Sequence, residues 1–294
     1  DYECFYVAVD WHALTTGYKE AAEIGPNTRE MVLDWLAAGI DPARSVVFVQ
    51  SAVKQHAELH LLFSMITPLG WLERCPTYKE QLQQLAEREI TTYGFLGYPV
   101  LQAADILIYR ADTVPVGEDQ LPHIEVTREI ARRFNYLYGE FFPEPQAILN
   151  RVTLLPGLDG RKMSKSYGNS LYLFAEPDEI RKAIRGMITD PGRARRYDPG
   201  DPGVCTAFTY HRAFNPGRAA EIDPLCREAG IGCVECKKEL AEAVVEYLSP
   251  FQSRRRELAA DPGYLDRILA EGGERARTVA EETMKTVRRL VGLA

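Results

Sequence analysis

The segment Lys162-Met163-Ser164-Lys165-Ser166 places two lysines and two serines in a turn-rich part of the sequence, directly after Pro156-Gly157-Leu158-Asp159-Gly160-Arg161. Ammonium groups three residues apart on such a loop can neutralise the charge that develops on transferred or departing phosphates, where preorganised positive charge contributes most. The segment therefore predicts a polyphosphate clamp. A solvated lysine-rich surface is the alternative, and the pattern taken by itself favours that alternative.

Four of the six cysteines are clustered in the second half of the sequence: Cys205, Cys226, Cys233 and Cys236. The Cys-x2-Cys spacing of the last pair places two thiolates on one metal centre, and the other two could complete a tetrahedral set. The spacing by itself is compatible with both Zn²⁺ and an iron–sulfur cubane. His56 and His60, four residues apart on one helix face, are a weaker metal pattern, and we favour packing and hydrogen bonding for that pair.

Charge and hydropathy limit the class of protein. The 294 residues carry 35 Lys and Arg against 42 Asp and Glu, and the net charge of −7 argues against a simple phosphate binder. Basic residues are nevertheless clustered over 181–196 and at 254–256, so a local phosphate-binding face stays open. No stretch approaches the roughly 20 apolar residues that span a bilayer. The first residues lack the features of a signal peptide, so we expect a cytoplasmic protein that does not bind a membrane.

The elements that position these residues follow an α/β pattern in the first half of the chain. Residues 4–9 and 45–49 are typical of buried strands, and a helix that opens at Asn27 and ends at Gly39 connects them. Such a βαβ unit implies a parallel sheet. Residues 113–117 are the next predicted strand, followed by a helix over 121–134.

After residue 176 the sequence changes to helices punctuated by proline and glycine. Glu176-Pro177-Asp178-Glu179 is a predicted helix start, and further helices are predicted over 236–247 and 273–290. The predicted fold class is therefore α/β, with a Rossmann-type parallel-sheet catalytic domain and a second, mostly helical domain.

Several segments resemble one family, in the family's own order. The segment 162–166 is the signature of class I aminoacyl-tRNA synthetases. Gly117-Glu118-Asp119-Gln120 resembles the tryptophanyl version of a second motif, where tyrosyl enzymes usually have a Ser-Asp-Gln variant. Residues 98–107 are similar to the tryptophan-pocket helix of tryptophanyl-tRNA synthetases, and residues 9–15 resemble their strand-end segment that faces the amino acid. The resemblance covers nearly the whole chain and implies a tryptophan–tRNA ligase.

The resemblance implies that five residues bind L-tryptophan. Asp105 is expected to accept the indole N–H, because a buried carboxylate that holds one donor rejects phenylalanine by being left unpaired. The others are expected to line the same pocket or to face the amino acid: His12, Tyr98, Gln102 and Gln120. Many relatives have Met in place of Gln102.

The resemblance also implies an ATP site and a two-step reaction. The tryptophan carboxylate attacks the α-phosphate of ATP with Mg²⁺ assisting, and the adenylate then transfers tryptophan to tRNA(Trp). No protein nucleophile is needed, so catalysis is positioning and charge stabilisation. The residues expected to contact ATP are Gly117, Glu118, Asp119, Val152, Lys162, Met163, Ser164, Lys165 and Ser166. The expected catalytic residues are Lys162, Ser164, Lys165 and Ser166.

Metal content, domains and assembly are further expectations from the resemblance. A bacterial subset of the family carries a [4Fe-4S] cluster with this terminal cysteine spacing, so the four clustered cysteines are expected to bind one, with Zn²⁺ as the alternative.

The expected domains are a catalytic domain over 1–175, a helical anticodon-binding domain over 176–262 and a C-terminal helix over 263–294 that packs back on the first domain. The family acts as a homodimer, and apolar helix faces are a candidate interface or core, with Leu59, Leu61, Leu62, Met65 and Leu69 as their residues.

One family signature is missing from the sequence. A His-Ile-Gly-His type motif belongs on the first strand, turn and helix of the family, and neither His12 nor the segment around His56 and His60 fits it. We therefore expect either that this segment lies upstream of the sequence or that the chain is a divergent copy. Three alternatives stay open: a tyrosine-specific enzyme, a non-catalytic synthetase paralogue, and a zinc-stabilised RNA-binding protein.

Overall fold

The computed structural model describes residues 2–76, 78–79, 91–149, 154–164 and 167–293. The chain divides into two compact units, Asp1–Asn150 together with Leu258–Ala294, and Arg151–Glu257. The division into domains 1–175, 176–262 and 263–294 stays a prediction.

The first unit alternates strands with helices. Its elements before residue 150 are β1 (Cys4–Ala8), α1 (Asp10–Gly17), α2 (Ala21–Ala37), β2 (Ser45–Val49), α3 (Gln55–Ile66), α4 (Leu69–Glu73), α5 (Tyr93–Leu107), β3 (Thr113–Val116), α6 (Leu121–Tyr138) and β4 (Gln146–Leu149). The second unit contains α7 (Pro177–Gly186), α8 (Thr206–Phe214), α9 (Pro216–Arg227) and α10 (Cys233–Ala259), and α11 (Pro262–Leu290) belongs to the first unit again.

The strands pair in parallel. β1 pairs with β2, with Cys4 opposite Ser45, and β3 pairs with β4, with Thr113 opposite Gln146. Because α1 and α2 connect β1 to its parallel neighbour, the predicted βαβ unit and the α/β class are confirmed. The carboxyl ends of β1, β2 and β3 lead directly to polar segments, which is where parallel sheets bind ligands.

Helix α2 begins earlier than predicted. It starts at Ala21 and continues through Pro26, so Asn27 lies inside the helix and not at its N-cap. The segment 21–24 consists of Ala, Ala, Glu and Ile, which favour a helix, and the proline removes one backbone N–H without ending it. The predicted end is confirmed, because Gly39 follows the helix with a φ of +112°.

Two later helices are longer than predicted. α10 runs over Cys233–Ala259 and α11 begins at Pro262, eleven residues before the predicted start at 273. Pro250 in α10 and the pair Gly272-Gly273 in α11 interrupt the sequence pattern without ending either helix. None of the described helices, these two included, is both long enough and apolar enough to cross a membrane.

The main core of the first unit lies between β2 and the helices α3, α5, α6 and α11. Phe48 of β2, Phe63 of α3, Leu107 of α5 and Met284 of α11 are all fully buried in it. A separate buried cluster fills the second unit and includes Ile180, Tyr210 and Leu248. Each unit therefore has a hydrophobic core of its own.

Helix α11 approaches β2 closely at a glycine. A Cβ atom added to Gly272 would lie 1.9 Å from the carbonyl oxygen of Val47, which no packing adjustment of side chains can relieve. At the neighbouring Gly273 an added Cβ would lie 3.6 Å from the Cβ of Ala52, an ordinary contact. The glycine at 272 thus sets the distance between the helix and the strand.

We expect Gly272→Ala to lower the free energy of unfolding by about 1–3 kcal/mol, because the new methyl group forces the helix away from β2. The matched variant Gly273→Ala is expected to be neutral or to stabilise by up to about 1 kcal/mol, because alanine favours a helix. Urea unfolding followed by circular dichroism measures both. Equal stability of the two variants would show that the contact with Val47 does not limit the packing.

Candidate active site

Helix α5 presents three of the predicted pocket residues on one face. Tyr98, Gln102 and Asp105 follow one another at spacings of four and three residues, which is the repeat of a helix face. Thr92 fixes the start of the helix, since its hydroxyl oxygen accepts a hydrogen bond from the Phe95 N–H at 3.1 Å. The opposite face is apolar and buried in the core.

Asp105 is a buried carboxylate whose two oxygens already have protein donors. His12 Nε2 lies 2.8 Å from Oδ2, and His56 Nδ1 lies 2.6 Å from Oδ1. Gln50 Nε2 contacts both oxygens, at 2.8 and 2.9 Å. Because a carboxylate offers about four lone pairs, these contacts use its accepting capacity fully. Three side chains, from α1, from the end of β2 and from α3, therefore converge on Asp105, and its hydrogen bond to tryptophan stays a prediction.

The carboxyl group of Asp105 is held in its charged form. Burial by itself raises its pKa, but the hydrogen bonds from His12 and His56 outweigh burial and bring the pKa below its ordinary value. An ionised carboxylate only accepts hydrogen bonds, so His56 donates from Nδ1 and its Nε2 faces the Tyr109 hydroxyl at 2.7 Å. Burial, followed by the Asp105 charge, raises the pKa of Tyr109, which keeps that hydroxyl a donor.

The hydrogen bonds around Asp105 assign a role to His56, the first residue of the pair His56 and His60. His56 is fully buried and acts as a hydrogen-bonding residue, which confirms the favoured interpretation for that residue. His60, on the same helix, lines a cavity of about 410 Å³. Trp11, Tyr18, Tyr98 and Leu101 also line this cavity, whose wall is mostly apolar. Of the predicted tryptophan residues, Tyr98 therefore faces open space.

Tyr98 is connected to a second buried histidine. Its hydroxyl lies 3.1 Å from Nε2 of His123, which sits in the first turns of α6, three residues after Gln120. Burial lowers the pKa of His123 to about 4, so its imidazole is neutral at physiological pH. The ring of His12 meets the ring of Tyr98 edge-on, with 6.3 Å between centroids. Asp105, His12, Tyr98 and His123 are thus connected by hydrogen bonds and one ring contact inside the first unit.

The predicted nucleotide segment follows β3 and leads into α6. Gly117, Glu118 and Asp119 are exposed, and Gln120 Nε2 donates to Asp119 Oδ2 at 2.9 Å. A Cβ atom on Gly117 would lie 2.6 Å from Asp119 Oδ1, so glycine allows this carboxylate to fold back over the backbone. The segment is therefore open to a ligand at the carboxyl end of a strand.

The lysine segment belongs to the second unit. Lys162 is exposed, whereas Met163 packs against the core cluster of that unit and Ser164 is half-buried. Val152, Lys165 and Ser166 lie outside the described residues. The roles of all these residues stay predictions.

Several polar residues of the two units were not predicted from the sequence. Gln50 and His123 in the first unit and Asn169 in the second are buried and hydrogen-bond to predicted site residues or to their backbone, and the half-buried Tyr109 hydrogen-bonds to His56. Gln50 could have been found, since it directly follows strand β2. The others lie inside or after helices and loops, where a single polar residue carries no spacing signal.

The four clustered cysteines lie at neighbouring helix ends in the second unit. Cys205 precedes α8, Cys226 is near the end of α9, and Cys233 and Cys236 form the first turn of α10. Burial raises the pKa of Cys236 to about 12, with smaller contributions from the other three thiols. All four are free thiols. Within the described residues, however, no three His, Cys, Asp or Glu side chains are arranged to hold a metal ion, so the structure does not support the expected metal site.

Comparison with known sequences gives a consistent family. A profile of the family described as tRNA synthetases class I (W and Y) matches residues 1–249. The tryptophan–tRNA ligase of Thermotoga maritima is 54% identical over 99% of this chain and 89% of its own length. The tryptophan–tRNA ligase of Ralstonia nicotianae is 42% identical over 100% of this chain and 91% of its own length.

Solved structures agree with the sequence relatives. The tryptophanyl-tRNA synthetase from Campylobacter jejuni, complexed with ADP and tryptophan, has a TM-score of 0.90 and 34% identity over 99% of this chain and 90% of that chain. The tyrosyl-tRNA synthetase from Archaeoglobus fulgidus, at 19% identity and a TM-score of 0.61, covers 86% of this chain and 80% of that chain and shares the fold. The chain therefore belongs to the class I tRNA synthetases for tryptophan and tyrosine, and among them to the tryptophanyl-tRNA synthetases.

Proposed function

We propose that the chain activates L-tryptophan with ATP and transfers it to tRNA(Trp), as a tryptophan–tRNA ligase. Membership of the tryptophanyl-tRNA synthetases supports the reaction. The single structural observation that carries the substrate assignment is the ionised, buried carboxylate of Asp105 on the pocket face of α5. An indole N–H is a donor that such an acceptor recognises, and a phenyl ring lacks it.

Tryptophan binding requires one protein donor to release Asp105. His56 and Gln50 are fully buried, whereas 17% of the His12 side chain is exposed. His12 is therefore the partner that can move aside, and the indole N–H takes its place on Oδ2. A substrate without this N–H leaves His12 on the carboxylate and gains no hydrogen bond there. Tyr98, Gln102 and Gln120 complete the amino-acid site in this proposal.

ATP is assigned to Gly117, Glu118, Asp119 and Val152 and to the lysine segment. Mg²⁺, which this family uses with ATP, supplies positive charge to the phosphates when bound. Lys162 and Lys165 neutralise the charge that passes to pyrophosphate as it leaves, and Met163, Ser164 and Ser166 add backbone and hydroxyl donors.

The chemistry needs no nucleophile from the protein. A carboxylate oxygen of tryptophan forms a bond to the α-phosphorus, and the bond from that phosphorus to pyrophosphate breaks. A ribose hydroxyl at the end of tRNA(Trp) then attacks the carbonyl carbon of the adenylate, loses its proton, and AMP leaves. What the protein contributes is the alignment of the reacting groups and charge stabilisation.

Amino-acid-dependent ATP–pyrophosphate exchange tests the proposal. We expect exchange with tryptophan and none with tyrosine. In Asp105→Asn, kcat/KM for tryptophan is expected to fall at least about 100-fold, because the new amide N–H group meets the donors of His12, His56 and Gln50. The matched control Asp112→Asn changes an exposed aspartate of the same unit and is expected to keep full activity.

Two outcomes of the exchange assay contradict the proposal. Exchange with tyrosine would favour a tyrosine-specific enzyme and remove the assigned role of Asp105. No exchange with either amino acid, from a folded protein, would favour the non-catalytic paralogue.

We further propose that Cys205, Cys226, Cys233 and Cys236 bind a [4Fe-4S] cluster, although the described arrangement is not itself a metal site. Burial raises the pKa of Cys226 and of Cys236, and the charges of the other cysteines of the cluster raise it further, which supports treating the four thiols as one group. Arg193 Nη1 lies 3.8 Å from Cys226 Sγ and can compensate thiolate charge. No step of the reaction depends on this group.

Metal analysis of protein purified without oxygen tests the cluster. We expect about four iron and four sulfide per chain, with loss of both in Cys236→Ser. Cys75→Ser, which changes a buried cysteine of the first unit, is the control and is expected to keep the iron. One zinc per chain would favour the Zn²⁺ alternative, and absence of metal would leave four ordinary thiols.

We also propose that the chain acts as a homodimer through the apolar face of α3 and α4. Of the five candidate residues, Leu59 is fully buried in the core and Leu62 packs against it. The other three, Leu61, Met65 and Leu69, are 55%, 70% and 61% exposed and form an apolar surface. The neighbouring Tyr93 at the start of α5 is also exposed. A second copy that covers this face would bury it.

Light scattering after size exclusion tests the dimer. We expect twice the chain mass of 33.1 kDa for the protein and a single chain mass for Met65→Glu, because a buried charge opposes association. Tyr136→Glu alters an equally exposed side chain on α6 and serves as the control. A dimer that persists in Met65→Glu would place the interface elsewhere.

A further inference from the structure

The described part of the lysine segment, residues 162–164, is hydrogen-bonded to a buried side chain, that of Asn169. Only 4% of Asn169 is exposed. Its Oδ1 accepts a hydrogen bond from the Ser164 N–H at 2.8 Å, and its Nδ2 donates to the Lys162 carbonyl oxygen at 3.1 Å. The carboxamide thus contacts the backbone on both sides of Met163, as a neighbouring β-strand would.

The orientation of this carboxamide is fixed by a third partner. Nδ2 also donates to Asp159 Oδ1 at 2.7 Å. Reversing the amide would place its oxygen against two oxygens and its NH₂ against the Ser164 N–H, so only one orientation satisfies all three contacts. The hydrogen bond from Asn169 is the largest cause that lowers the pKa of Asp159 to about 2, and Arg161 adds to it.

The backbone of Gly157 lies directly against the side chain of Asn169. A Cβ atom on Gly157 would lie 2.2 Å from Asn169 Nδ2, so glycine is required where the two approach. The base of the loop is anchored on the core of the second unit, because the Tyr210 hydroxyl donates to the Pro156 carbonyl oxygen at 2.7 Å. Asn169 therefore connects an anchored base to the segment that carries Lys162.

We propose that Asn169 is the positioning residue of the lysine segment: its carboxamide fixes the backbone of Lys162 and Ser164, and so the place from which the Lys162 ammonium acts. Asn169 is not among the residues assigned to a substrate, and it acts through Lys162. This inference rests on the proposed function for its catalytic consequence, since a displacement of about 1 Å in a charged group can cost about 100-fold in rate.

The test compares two substitutions, each of which leaves the shape of the side chain nearly unchanged. In Asn169→Asp, Oδ1 can still accept from Ser164, but the second oxygen faces the Lys162 carbonyl and the Asp159 carboxylate. Asp159→Asn removes the charge of Asp159 and leaves all three contacts of Asn169 possible. The double variant restores a donor–acceptor pair between residues 159 and 169 but does not restore a donor to Lys162.

In ATP–pyrophosphate exchange we expect kcat to fall about 10–100-fold in Asn169→Asp, with KM for tryptophan changed less than about twofold. Asp159→Asn is expected to stay within about threefold of the parent. The double variant should regain thermal stability without regaining kcat. A kcat that is unchanged in Asn169→Asp, or that returns together with stability in the double variant, overturns the positioning role.

Limited proteolysis separates this inference from the proposed function. Trypsin cleavage after Lys162, identified by mass spectrometry, is expected to be at least about tenfold faster in Asn169→Asp than in Asp159→Asn, because cleavage follows local opening. If the parent protein catalyses no exchange, the proposed function fails and the cleavage rates alone decide: equal rates overturn the inference. Should Asn169→Asp show no cooperative unfolding, Asn169→Ala replaces it, with the same expectations.

Discussion

A buried negative charge on Asp105 is the constraint around which the first unit is arranged. An unpaired carboxylate at such a depth would be neutral, because burial disfavours its charged form. His12, Gln50 and His56 reverse this by hydrogen bonding to it. These donors come from α1, from the residue after β2 and from α3, so the charge exists only when the three elements are assembled around α5.

The packing of β2 against α11 in the first unit also contributes to the position of the donors to Asp105. Gln50 reaches Asp105 because β2 ends directly before it, and β2 is held against α11 at the close contact between Gly272 and Val47. A helix that lies this near a strand leaves no freedom in the strand's position. The glycine at 272 therefore contributes to the position of Gln50, the polar side chain that follows β2.

The second unit uses a related device on a loop. Lys162 is exposed and could point in many directions, but its backbone is fixed by the carboxamide of Asn169, which is buried and has partners for both its oxygen and its nitrogen. In both units a charged group is placed by polar side chains that hydrogen-bond to it or to its backbone. Such side chains are costly to leave unpaired, so they define one geometry and not several.

Short-range patterns in the sequence determined the strands β1, β2 and β3, the start of α7 and the stop at Gly39, because each depends on residues that are neighbours along the chain or one helical turn apart. The lysine segment and the pocket residues of α5 were identified by resemblance to a family, and β4 was not predicted. The extents of α2, α10 and α11 did not follow from such patterns, since packing carries helices through Pro26, Pro250 and Gly272. Nor did the donors to Asp105 or the role of Asn169. The donors to Asp105 lie 49 to 93 positions away along the chain, and hydrogen bonds over such separations leave no periodic trace in the sequence. The contacts of Asn169 span only five to ten positions, but they lie in a loop without a repeat, so only the tertiary structure decides which buried polar groups meet.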